Sequence, residues 1–388
     1  MDDQNSIYGG SFQVPFDHGV HFTKDLFNPA NPLLGSVLES NDPAMNPRMI
    51  VVADRNMAEA WPDLEKSARA YIDAMDAPMP RFEEFLVVTG GEQAKNDMGT
   101  FDAVVEAIDR NGICRKSWVI GVGGGAMLDA VGFASATSHR GIRHVRVPTT
   151  TLSQGDAAIG VKNGINYKGK KNFLGTFSPP DAVLNDELFL QTLTQRDWIA
   201  GFAETIKIAL LRDPDLFELI ESSTDSVRCR DLKESMPIVK RSAELHLKHI
   251  VDGGDPFELK EARPLDFGHW SAHKLEQASD FRINHGEAVA IGLAIDCIYS
   301  KLVGRLEDQQ LQRILGCLIA LGFRLHDEAV EQVDVLFKGL EEFREHLGGK
   351  LTVTLLDSIG NPVDVHEVRK EIVAQAVQLL PRTECSMG

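Results

Sequence analysis

The chain has 388 residues, 43% of them hydrophobic and 25% charged, a globular balance with room for two to three domains of ~150 residues. Its 57 acidic residues outnumber the 40 basic ones, and a net charge of −17 repels polyanions over most of the surface, which excludes nucleic acid as an expected partner. Five cysteines (Cys114, Cys229, Cys297, Cys317 and Cys385) are odd in number and form no CxxC pair, which excludes a disulfide framework or a Cys-rich zinc module.

The acidic start, Met1 to Asn5, has neither the basic end nor the apolar run of an export signal. The apolar run Ala288 to Ile295 is bounded by Glu287 and Asp296, far short of a ~20-residue membrane span. A cytoplasmic protein with no membrane partner is expected. The first 30 residues mix short polar and apolar pieces and place little. Met49 to Ala53 and Phe85 to Thr89 are β-branched, apolar runs that predict buried parallel strands, and Ala58 to Met75 between them has helical spacing. Phe101 to Asn111 predicts a helix, Ser117 to Val122 a strand and Ala126 to Ser138 another helix, so the first half reads as a doubly wound α/β unit. Ser178-Pro179-Pro180-Asp181 marks a break. Beyond it, Arg196 to Leu211, Met236 to Ile250, His269 to Ala278, Gly286 to Leu302 and Gln309 to Ala320 have helical periodicity, with one strand run at Leu351 to Leu355. The expected fold is an α/β Rossmann-like N-terminal domain, residues 1–185, followed by a mostly α-helical domain, residues 186–388.

Gly121 to Gly125 stands where a strand meets a helix. Backbone N–H groups and the helix dipole bind phosphate there, although a GVGGG run serves equally as a plain tight turn. Asp54 and Glu92 follow predicted strands, at the edge where an open α/β sheet has its crevice and where carboxylates hold ribose hydroxyls or are ordinary loop residues. Between Gly160 and Asn172 several lysines, glycines and asparagines predict a loop that wraps a small anion. Glu204 lies on an apolar helix, His269 and His273 are at i and i+4 on one helix side, and His285 starts another helix. A Glu and two His suit a catalytic divalent metal, yet they are 65 and 16 residues apart, and satisfied core histidines would look the same.

Four separated motifs occur in the order of one family. They are Val147-Pro148-Thr149-Thr150 with Asp156 and Lys162-Asn163-Gly164-Ile165-Asn166; Gly201 to Lys207 (GFAETIK); Asp266-Phe267-Gly268-His269; and His285 to Gly292 (HGEAVAIG). Over about residues 48 to 360 the chain resembles the sugar phosphate cyclases, the superfamily of 3-dehydroquinate synthase. The resemblance implies an NAD-binding domain, a helical domain, a divalent metal (zinc or cobalt) between them and a homodimer. It implies Glu204, His269 and His285 as metal ligands. Arg140, Lys162, Asn172, Lys207 and Lys248 would meet the substrate's phosphate and hydroxyls, with His273 near the ring-forming centre. NAD would contact Asp54, Asn56, Glu92, Lys95, Gly124, Gly125, Asp129, Thr149, Thr150, Asp156, Lys171, Thr192, Leu193 and Asp197.

The pattern departs from 3-dehydroquinate synthase proper before the Gly-His motif. The family's Arg seven residues ahead of the histidine is here Ala262, with Arg263 shifted by one, and its Asn three ahead is Asp266. The element before the last strand, Phe343 to Gly348, lacks the expected lysines. An Asp there repels an acid and suits a hydroxyl, so a neutral heptulose phosphate, sedoheptulose 7-phosphate closing to a valiolone-type cyclitol, is favoured over the heptulosonate. The alternatives are a true 3-dehydroquinate synthase, a metal-dependent polyol or glycerol phosphate dehydrogenase, and a binding protein without activity.

Overall fold

The structure, a computed structural model, describes residues 10–39, 46–76, 78–96, 98–253, 256–257, 264–346 and 351–382. Six strands form one parallel sheet: β1 (Gly19–Thr23), β2 (Arg48–Asp54), β3 (Arg81–Val88), β4 (Trp118–Gly123), β5 (Arg143–Pro148) and, after a separate hairpin of β6 (Lys162–Tyr167) and β7 (Lys170–Phe177), β8 (Ala182–Asp186). Their order is β1-β8-β5-β4-β2-β3. Successive side chains of a strand leave opposite faces, so Met49, Val51 and Ala53 join Trp118, Ile120 and Val122 in one core while Ile50 and Val52 join Val119 in another. Both faces are covered, which is why these strands read as continuous apolar runs rather than alternating ones.

Three expectations are corrected. The single helix over Ala58 to Met75 is two, Arg55–Ala60 and Leu64–Asp73, because Pro62 pushes Trp61 out of the helical region, to φ −125 and ψ 74. The sheet includes β1, β5 and β8, none of which the apolar pattern marks. β5 buries Arg146 completely, and its guanidinium donates to the carbonyls of Ala158, Gly160 and Lys162 and to Asn163 Oδ1. The segment Gly160 to Asn172 is no wrapping loop. It forms most of the β6–β7 hairpin, whose turn residues Lys168 (φ 50) and Gly169 (φ 73) both have the positive φ that tight two-residue hairpins require.

After β8 the chain is helical: Gln195–Arg212, Pro214–Ser222, Thr224–Arg228, Leu232–Asp252, His269–Ala278, His285–Leu302, Asp308–Leu321, Val333–His346 and Lys370–Gln378, with an antiparallel pair, β9 (Val353–Ser358) and β10 (Asn361–Val365). Helices Gln195–Arg212 and His285–Leu302 are buried along most of their length and centre this second core. Two glycines let backbones touch. A Cβ on Gly201 would lie 2.2 Å from Leu152 N, and one on Gly286 2.1 Å from Ala200 O. Gly201 thereby seats the helical part directly on the β5–β6 connection, whose Thr151 hydroxyl donates to Trp198 O at 2.8 Å. Among the described residues no helix is long and apolar enough to cross a membrane.

Candidate active-site cleft

Three helices converge on one point. Glu204 projects from the middle of Gln195–Arg212, His269 opens His269–Ala278 just after the left-handed Gly268 (φ 76), and His285 opens His285–Leu302 behind the Asn284–Glu287 capping box. Glu204 Oε1 lies 3.2 Å from His269 Nε2 and 3.1 Å from His285 Nε2. In a tetrahedral site with bonds of 2.0–2.1 Å, neighbouring ligand atoms are roughly 3.3 Å apart; the two Glu204–histidine distances match that spacing, and all three ligand atoms lie within 4.8 Å of one another. The other ring nitrogens are held from behind. His269 Nδ1 is 3.1 Å from Phe267 O and His285 Nδ1 is 3.2 Å from Glu276 Oε2, the outer partners that leave each Nε2 lone pair for a metal. Glu204 Oε2, buried and 2.6 Å from Lys207 Nζ, accepts no well-aligned hydrogen bond. Donor types, spacing and outer partners all fit a divalent metal.

The charges around this point alternate. Burial pushes the Glu204 carboxyl up, but Lys207 and His269 beside it hold it well below the usual range. Burial likewise opposes the Lys207 ammonium, and Glu204 and Asp156 raise its pKa. In the metal-free protein His285 is raised to about 9 against burial, chiefly by Glu276. His273 stacks on His285, their ring centroids 5.9 Å apart, and is pushed well below its ordinary value by burial and by Lys171, so its ring is neutral at neutral pH. Glu276 also takes Lys171 Nζ at 2.7 and 2.8 Å, which ties the hairpin to the ligand set. Glu276 and His246, which the sequence reading passed over, both belong here. Glu276 was accessible from spacing, since His269, His273 and Glu276 at i, i+4 and i+7 share one helix face.

The sheet supplies the other wall. Gly124 caps helix Gly125–Thr137 without any side-chain bond, leaving its first N–H groups open, and a Cβ on Gly123 or Gly125 would meet Met127 or Ala157 at 2.4 or 2.9 Å. This is a cradle that fits a dinucleotide's phosphates. Asp54 ends β2 and caps the next helix, accepting from Asn56 N and Met57 N through Oδ1. Lys95 pairs with Asp129 at 2.7 Å, and Glu92 accepts from Asn166 of the hairpin at 3.0 Å. Thr149 N donates to Gly123 O, and Thr150 Oγ1 is 2.7 Å from Ser153 Oγ. Thr192 accepts from Trp61 Nε1 at 3.2 Å, Leu193 follows it half-buried, and Asp197 pairs with the capping Thr194. Asp156, on the turn Ser153–Ala157, faces Lys207 and His246.

Some expected residues are not brought together. Arg140, exposed, lies in the turn Ser138–Arg140 that follows helix Gly125–Thr137, about 20 Å along the helix axis from the glycine turn and at the other end of the strands, so the chain does not bring it to its own cleft. Lys248 is exposed and pairs with Glu244 on its own helix at 2.7 Å. Lys162 and Asn172 have exposed side chains on the hairpin, and Asn172 N donates to Asn166 Oδ1. Asp266 is half-buried and raises Lys207 electrostatically. Ala262, Arg263, Leu347 and Gly348 lie outside the described residues.

Fold and cleft together define a two-part enzyme architecture in which a doubly wound sheet with a glycine turn faces a helical Glu/His/His set. The sequence descriptions "3-dehydroquinate synthase N-terminal" and "3-dehydroquinate synthase C-terminal" match residues 85–200 and 201–341. The chain is 32% identical to a 3-dehydroquinate synthase of Halorhodospira halophila, over 80% of this chain and 89% of that one. It is 29% identical to a 2-epi-5-epi-valiolone synthase of Streptomyces glaucescens, over 94% and 91%. It superimposes with a TM-score of 0.86, at 29% identity, on a 2-epi-5-epi-valiolone synthase from Streptomyces hygroscopicus subsp. jinggangensis 5008 with NAD+ and Zn2+ bound, covering 96% of this chain and 98% of that one. The chain belongs to the 3-dehydroquinate synthase-like family of sugar phosphate cyclases.

Proposed function

We propose that the chain closes sedoheptulose 7-phosphate to a valiolone-type cyclitol with loss of phosphate and no net redox change. The observation that carries this choice is Asp266. Its carboxylate stands three residues ahead of His269 and acts on Lys207, and in that place it disfavours an acidic substrate while accepting from a hydroxyl. The near full-length similarity to valiolone synthases supports the same reading. Residues 1–185 are read as the NAD unit and 186–388 as the metal and substrate unit of a cytoplasmic homodimer.

NAD would take up and return a hydride, and a zinc or cobalt ion would polarise the reacting oxygen and lower the cost of its negative charge. Glu204, His269 and His285 hold the ion. The glycine turn and the strand-end groups Asp54, Asn56, Glu92, Lys95 and Asp129 hold the dinucleotide, with Thr149, Thr150, Asp156, Lys171, Thr192, Leu193 and Asp197 along its path. His273, neutral and beside the ligands, accepts a proton at Nε2 or Nδ1 and gives it back. Lys207, buried beside Glu204, supplies the positive group where the leaving phosphate gains charge.

Purified protein with NAD and zinc is offered sedoheptulose 7-phosphate and, separately, the heptulosonate 7-phosphate. Phosphate release from the first without net NADH is expected. Release from the heptulosonate alone would establish the second reading, a true 3-dehydroquinate synthase, which the 32% relative supports. NADH accumulating with a polyol would replace both with a dehydrogenase.

A further inference from the structure

His246 and Lys248 stand two positions apart on helix Leu232–Asp252, about 200° around its axis, and therefore face opposite ways. Lys248 points to solvent. His246 is 3% exposed and turned toward Ser153–Ala157. Its Nδ1 lies 3.3 Å from Ser242 O, and its Nε2 is 2.8 Å from Asp156 Oδ1 but off the line of a good hydrogen bond. Asp156 Oδ2 is 3.9 Å from Lys207 Nζ, which is in turn 2.6 Å from Glu204. A buried ring nitrogen without an aligned partner thus stands at the cleft, linked to the ligand set through one carboxylate and one ammonium. Both ring nitrogens face oxygen acceptors, an arrangement that suits a ring carrying a transferable proton on Nε2.

We propose that His246 and Asp156 form a second acid–base pair of the cleft, one that binds a hydroxyl of the substrate and not its phosphate. A phosphate oxygen at Nε2 would sit against the Asp156 carboxylate, whereas a hydroxyl accepts from Nε2 and donates to Asp156 at once. When the pair gives its proton to a substrate oxygen, the N–H bond breaks with its electrons staying on the ring and an O–H bond forms. The reverse transfer restores it, and no other reactant is consumed. The turnover part of this inference rests on the cyclase reading; the contact itself rests on the geometry.

The test labels the full-length, NAD- and zinc-loaded protein with 15N-histidine and identifies the His246 ring signals as those missing from His246→Gln, or from His246→Asn if the first variant does not fold. Sedoheptulose 7-phosphate is expected to shift these signals and inorganic phosphate to leave them in place. Signals that ignore the sugar ester, or that move equally with inorganic phosphate, overturn the proposal whether or not the ester is turned over. In turnover, His246→Gln is expected to lose ~10²–10⁴-fold in kcat with KM within about threefold and with NAD and zinc affinities kept. A kcat near that of the unsubstituted protein, or loss of zinc or NAD binding, overturns it. If the unsubstituted protein turns over neither heptulose ester, the cyclase reading falls, and the ring signals alone decide the fate of His246.

Discussion

Glu276 has a cation on one side and a metal-type histidine on the other, and it is 2% exposed. Glu276→Gln keeps the shape and removes the charge, so His285 loses the carboxylate that orients it and Lys171 loses its partner. Zinc affinity of the metal-free protein, measured by competition with a chelator, is expected to fall ~10–100-fold. An unchanged affinity would deny Glu276 any part in holding the metal. At this scale the sequence leaves Glu204, His269 and His285 open between metal ligands and core residues, since they are far apart in the chain, and only the three converging helices bring them to one point. Lys248 is a substrate residue only by the resemblance, and it is exposed and paired with Glu244. Only the helix face, fixed by packing against Ser153–Ala157, shows that His246 is the inward residue.

Long periodic helices such as Gln195–Arg212 and His285–Leu302 were legible almost to the residue, and so were β2 and β4, whose apolar runs are buried on both sides. β5 was not, because His144 and Arg146 break its apolar pattern. The burial of Arg146 depends on carbonyls 12 to 16 residues away, which the local sequence cannot show. The hairpin was hidden by composition, since its glycines suggest a loop, yet Gly164 and Gly175 are there because a Cβ on either would stand 2.7 or 2.6 Å from the facing backbone carbonyl. Packing between elements is equally tight at Gly201, against Leu152 N. Gly201→Ala would force that helix off the β5–β6 connection, at a cost of about 1–3 kcal/mol. The expected result is a lower midpoint in urea unfolding together with weaker NAD binding. A variant as stable as the parent would mean that the two elements separate freely.

The helical core also encloses a charge that responds to pH. Asp296 is fully enclosed, and burial pushes its carboxyl up to about 7 even though it accepts hydrogen bonds from Trp270 Nε1 and Gly268 N. A carboxyl with a raised folded pKa binds its proton more tightly in the folded state. Its contribution is therefore fully present below about pH 4 and is lost as pH rises to about 7. The stability of the parent protein relative to Asp296→Asn should accordingly shrink across that interval in denaturant titrations. A difference that is flat with pH would place the carboxyl's titration elsewhere. The ligand helices have a consequence in time as well. Glu204 and His285 are 81 residues apart in the chain, so on the proposed ligand set a growing polypeptide holds no complete metal site until synthesis has passed His285, and bringing the ligands together has an entropic cost. An ion that binds only the assembled site favours the folded molecule by mass action. With the proposed ligand set, metal binding is coupled to the assembly of the helical core.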